Sequence, residues 1–164
     1  MDAANLANVL GAFAMFIADE QNSAIRAAGH DQSSTLALIH LVKYPGATID
    51  ALRDPLSLTH SGCVRLVDRL AEIGLVERRA AADGRAVALH LTRSGREAVA
   101  TAQRARSEAL ARALRVLTPH ERQVLGKTMH KLLAGEVATT STALRTCRLC
   151  DYDACADCPC EGAS

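Results

Sequence analysis

Residues 56–79 read LSLTHSGCVRLVDRLAEIGLVERR, and this stretch decides the fold. Thr59 is a good helix N-cap because its hydroxyl can accept from a backbone amide that has no partner inside the helix. After it, Val64, Leu66, Val67, Leu70 and Ile73 recur at three- and four-residue spacings, which puts them on one helical face. Gly74 ends that helix, since a residue without Cβ takes the left-handed cap at no steric cost. Beyond it the period shortens. Leu75–Arg79 and Val87–Leu91 are strand-like runs, and Asp83 with Gly84 marks the turn between them. The spacing therefore predicts a short helix followed at once by a β-hairpin.

Working outward, three more helices precede this pair. Leu6, Val9, Leu10, Phe13, Phe16, Ile17 and Ile25 form a long amphipathic series. Gly29 and the polar residues 30–34 close it, and Ser33 or Ser34 is the expected cap of a second helix carrying Leu36, Leu38, Ile39, Leu41 and Val42. A third short helix is expected from Thr48 to Leu52, broken by Asp54 and Pro55. Downstream, a helix runs from Thr92 through Leu117, and Thr118 with Pro119 starts a last one expected to reach about Ala143. No repeat of fixed period is visible. Three short helices followed by a hairpin are the layout of a winged helix-turn-helix. The fold class expected is mainly α, with long N- and C-terminal helices around that unit and a small β-hairpin wing.

Composition agrees. The 164 residues are 49% hydrophobic and 23% charged, which suits one folded domain with a short appendage. With no Trp, two Phe and two Tyr, the core must be Leu, Val, Ile and Ala, a mixture that packs well between helices. A net charge of +1 makes no global case for a polyanion partner. Locally the balance differs: residues 57–93 hold six arginines against four acids.

The run LSLTHSGCVRLVDRLAEIGLVERR, with ADGRAVALHLTRSGREA at 82–98, closely resembles the core of the MarR family of bacterial transcriptional regulators. The resemblance covers Leu36–Ala98 in detail and stops by about Leu144. It implies a homodimer that binds a double-stranded DNA operator. Residues 1–32 and 96–144 would be the dimerisation helices, 33–95 the DNA-binding unit and 145–164 an added cysteine-rich tail. Carried onto this chain, the DNA-binding residues are Thr59, His60, Ser61, Arg65 and Arg69 on the recognition helix and Arg79, Asp83 and Arg85 in the wing. The chemistry is apt, because a helix N-terminus favours phosphate and an arginine can hold a phosphate or read guanine. Gly62 and Val64 stand where many members carry Thr and Ser, and Gly84 where many carry Arg, so the operator sequence does not transfer. The family also implies a small-molecule effector bound between the dimer helices and the DNA-binding lobe, in the region of His40 and Tyr44.

Cys147, Cys150, Cys155, Cys158 and Cys160 put five thiols into fourteen residues, while Cys63 stands alone in an apolar slot and reads as a core thiol. A terminal cluster in a chain without an export signal reads first as a metal site. Cys150-x4-Cys155-x2-Cys158 has the spacing of the plant-type ferredoxin run, so an iron-sulfur cluster is the first expectation. Zinc held by two Cys-x2-Cys pairs is the alternative, and metal-free thiol or disulfide switching the third. Four tail acids against Arg148 would repel DNA, so the tail is not a second DNA-binding finger.

No glycine-rich phosphate loop, zinc-protease helix or nucleophile elbow is present, and the six histidines are dispersed, so an enzyme is not expected. Without an export signal or a long apolar run, a cytoplasmic protein that does not enter membranes is expected. Together the signals point to a repressor whose DNA affinity responds to oxidation or metal loss in a tail placed beyond the last helix and acting through it. The quieter alternative is a structural zinc with a small molecule as effector; an electron carrier on a helix-turn-helix scaffold is the reading from another class.

Overall fold

The computed structural model describes residues 2–80, 87–155 and 157–160. Its centre is α2 (Gln32–Lys43), whose sequence TLALIHL is apolar on nearly every side and whose residues 34–41 are all buried. Around it stand α1 (Ala3–Ala27), α3 (Arg53–Leu56), α4 (His60–Glu72), α5 (Arg93–Leu114) and the second strand of a hairpin. That hairpin pairs β1 (Val76–Ala80) with β2 (Val87–Leu91) antiparallel, Val76 opposite Leu91 and Arg79 opposite Ala88. Leu38, Ile39, Leu52, Val67, Leu70 and Leu89 are almost fully buried and join these elements in one core. Helices α6 (Pro119–Glu136) and α7 (Thr140–Thr146) complete the chain. The mainly helical fold with a hairpin wing agrees with the sequence reading.

Three local expectations are corrected. Asp31, not Ser33 or Ser34, caps α2: its Oδ1 accepts from the Ser34 amide at 2.9 Å and its Oδ2 from the Ser34 hydroxyl at 2.6 Å. A carboxylate takes more bonds than a hydroxyl and adds a favourable charge at the positive helix end. Pro55 does not break the third helix. A 3-10 turn at Asp50–Leu52 runs straight into α3, where Pro55 occupies the first turn and its missing N–H costs nothing; the chain leaves α3 at Ser57, with φ of 54°. The last helix is divided in two. It ends at Glu136, Val137 turns inward and is buried, and the Thr139 hydroxyl caps α7 by accepting from the Thr142 amide at 3.2 Å.

Some apolar faces stay uncovered. Leu6, Val9, Leu10 and Phe16 on α1 are about half exposed, and α6 buries none of its side chains, leaving Val124 and Leu132 equally open. Among the described residues no helix is long and apolar enough to cross a membrane.

The wing is joined to α5 by a close approach. Thr92 caps α5 and donates its hydroxyl to the Gly74 carbonyl at 2.7 Å, which brings Gly95 against Leu75. A Cβ at Gly95 would lie 2.1 Å from the Leu75 carbonyl oxygen. Gly95→Ala is therefore expected to cost about 1–3 kcal/mol, read as a lower urea midpoint at unchanged slope. Burial also lowers the pKa of His40, which is 7% exposed and packs against Tyr44 with ring centroids 4.8 Å apart and the planes tilted by 40°. The unfolded chain takes up that proton more readily than the folded one, so this contribution is whole above the ordinary value of 6.5 and falls away as the pH drops below it. Urea midpoints taken from about pH 7.5 to 5.5 should decline, and His40→Gln should flatten the decline.

Candidate functional site

Helix α4 presents one face to solvent and the other to the core. Cys63, Leu66, Val67 and Leu70 are buried, whereas His60, Ser61, Arg65, Asp68 and Arg69 are exposed. Thr59 caps the helix as the sequence indicates, accepting from the Gly62 amide at 3.2 Å, and its Oγ1 lies 3.2 Å from the Ser61 hydroxyl. Cys63 is a fully buried thiol whose pKa is raised by that burial.

His60, the first residue of α4, donates from Nδ1 to Asp50 Oδ1 at 2.9 Å. That bond, aided by Arg53 at 3.6 Å, holds the Asp50 carboxyl below its ordinary value. Arg65 is exposed and forms no ion pair among the described residues. Arg69 instead turns back to α2, its guanidinium 3.3 Å from Asp31 Oδ2 and 3.4 Å from the Ser34 hydroxyl. Partial burial of Asp31 opposes its ionisation, but the Ser34 bonds and Arg69 outweigh it and the pKa is lowered. In the wing, Arg79 pairs with Glu77 and Arg78 with Asp68. Asp83 and Arg85 lie outside the described residues.

The cysteine tail does not stand beyond the last helix; it folds back onto the winged helix. Leu149 and Tyr152 pack against the core, and the Gln103 amide of α5 donates to the Cys150 carbonyl at 3.3 Å. Tyr152 donates to the Cys147 carbonyl at 3.3 Å, and the Lys43 ammonium lies over its ring, 5.1 Å from the centroid. This placement brings all five tail cysteines to one cavity of about 240 Å³, beside Lys43, Tyr44 and Tyr152. The Sγ atoms of Cys147, Cys158 and Cys160 lie within 4.8 Å of one another. Burial first, and neighbouring thiols second, raise the pKa of Cys147 and Cys155, and burial pushes the Tyr152 hydroxyl up to about 12. Such a pocket resists thiolate charge on its own, and a bound cation reverses that preference.

Sequence reasoning missed the groups that dock the tail. On α7, Arg145 donates from Nε to Asp54 Oδ1 of α3 at 3.0 Å. A hydrogen bond from Ser141, then Arg145, hold the Asp54 carboxyl below its ordinary value. No local pattern announces a pair 91 residues apart. Asp31 was more accessible, since Asp31-x2-Ser34 is a capping arrangement. Because Asp31 both caps α2 and ties down Arg69, Asp31→Ala is expected to lower stability by about 1–2 kcal/mol, measured by urea unfolding.

The MarR family model matches residues 30–86, which span α2 through the wing connection. No curated protein sequence matches the chain. Among solved structures, a MarR-family transcriptional regulator from Silicibacter pomeroyi is 26% identical, with a TM-score of 0.61 over 83% of this chain and 97% of that one. A MarR family protein from Mycobacterium tuberculosis, solved with salicylic acid, is 25% identical, with a TM-score of 0.60 over 80% and 96%. One from Bacillus stearothermophilus superposes more closely, with a TM-score of 0.71 at 23% identity over 80% and 95%.

Proposed function

We propose that this chain, which carries the MarR-family winged helix, is a DNA-binding transcriptional regulator of the repressor type whose affinity is tuned by its cysteine tail. The observation that carries the reading is Arg65. It stands one turn into a capped helix, exposed and free of any described acid, while its arginine neighbours on α4 and β1 are already paired. A guanidinium with no described acid, one turn along a helix whose start presents free amides, is suited to a DNA phosphate or a guanine edge. His60 and Ser61 flank it, Thr59 sets the helix start, and Arg79, Asp83 and Arg85 of the wing, with Arg69 once released from Asp31, complete the DNA-facing set.

The protein acts as a cytoplasmic homodimer. The uncovered faces of α1 and α6 support this, because apolar area of that size on two helices calls for a partner surface and a twofold dimer would set two recognition helices on paired half-sites. The tail is the sensor. Five thiols at one cavity suit a thiolate-bound metal, iron-sulfur or zinc, whose oxidation or loss alters DNA affinity.

A second input rests on a separate cavity of about 520 Å³, where Gln21, Gln32, Arg106, Arg145 and Arg148 meet between α1, α2, α5 and the tail. Its guanidinium groups suit a small organic anion as effector.

The test begins with duplexes selected from a random pool, followed by anisotropy titrations across salt concentration. Arg65→Ala is expected to weaken binding by at least about tenfold and to reduce the salt slope by about 1, while Arg93→Ala changes neither much. Unchanged affinity in Arg65→Ala would remove the assignment. Sedimentation should give a dimer, and Phe16→Asp with Leu132→Asp should shift it toward monomer.

A further inference from the structure

We propose that Cys147, Cys158 and Cys160, completed by a sulfur from Cys150 or Cys155, hold one divalent cation of the zinc type, and that this ion makes α7 a strut bracing the recognition helix. The metal site stands on the tail's own geometry; only its effect on DNA rests on the regulator reading.

Spacing selects a single ion over a cluster. Around tetrahedral zinc, bonds of about 2.3 Å place the sulfurs about 3.8 Å apart. The three thiols within 4.8 Å of one another need only a small contraction to reach that distance. In a cubane cluster each thiolate binds a different iron, and in a two-iron cluster no more than two share one, so three mutually close sulfurs match neither. The remaining coordination position is served from the same cavity, which Cys150 and Cys155 also line. Each thiol that coordinates releases its proton to solvent, and Lys43, which lines the same cavity, brings a positive charge to it.

The strut follows from where Cys147 sits. It is the C-terminal cap of α7, two residues after Arg145. Arg145 and Ser141 both engage Asp54 on α3, and α3 continues directly from the 3-10 turn whose Asp50 accepts from His60 at the start of α4. An ion gripping Cys147 therefore fixes the far end of a line running from α7 through α3 to the first residue of the recognition helix. Three residues, Val137–Thr139, separate α7 from α6, so the line bypasses the long helix through which the sequence reading expected the signal to pass.

The full-length protein, stripped of metal under anaerobic reducing conditions, would be titrated with zinc and with cobalt(II) as a spectroscopic probe, alongside iron and acid-labile sulfide assays of the protein as isolated. One ion per chain, cobalt-thiolate charge-transfer bands and no sulfide are expected; iron with matching sulfide, or no zinc uptake, overturns the site. Hydrogen exchange should slow by at least about tenfold on zinc addition in α7, in residues 50–56 and in the first turn of α4. Protection confined to 147–160 overturns the strut. Arg145→Ala should still bind one zinc while losing the protection at 50–62, and full protection in that variant also counts against it. Failure to bind DNA with or without zinc would defeat the regulator reading and leave the metal site standing.

Discussion

A helix buried on every side has to be finished at both ends by groups that do not depend on water, and this constraint on α2 organises the molecule. Its N-terminus is closed by the Asp31 carboxylate, and because a carboxylate has lone pairs to spare, the same group also holds Arg69 of the recognition helix. Toward its C-terminus His40, whose burial lowers its pKa, packs against Tyr44, and Lys43 reaches over Tyr152 of the tail. One central helix thus has α4, the element proposed to face DNA, tied to its beginning and the thiol cavity tied to its end.

The parts legible in the sequence are those set by neighbours along the chain. Thr59, the apolar series of α4, Gly74 and the two short strands are local signals, and each element formed where its residues placed it. The misses share a cause. Ser33 and Ser34 are sound caps by propensity, yet the better acceptor one turn earlier won. Pro55 breaks a helix only past its first turn, and a 3-10 turn in front of it moved that boundary. The tail's position depended on Arg145 finding Asp54 and on Leu149 and Tyr152 reaching the core, contacts with no period and no spacing. The cysteines themselves were plain to see; what they lay against was not.

Charge on the exposed face of α4 and the wing is arranged by occupancy more than by number. Arg69, Arg78 and Arg79 each have an acid in the folded chain, so a phosphate would have to compete for them, while Arg65 has no such rival among the described residues. Pairs this exposed are weak, of order 1 kcal/mol or less, so they exchange readily and keep the face from sticking to other anions. The modest net charge of +1 is in keeping with a surface that reserves its cations.

Helix α6 shows what the chain leaves to others. None of its eighteen residues is buried within the chain, and the Thr118–Glu121 capping box, the backbone ladder and hydrogen bonds from Arg122 and Thr128 to backbone carbonyls hold its form. Isolated helices of that length are marginal in water. In the proposed homodimer the helical content should therefore depend on concentration: at high dilution α6 frays toward coil, and as molecules meet, the helix and the association surface come into being in the same event.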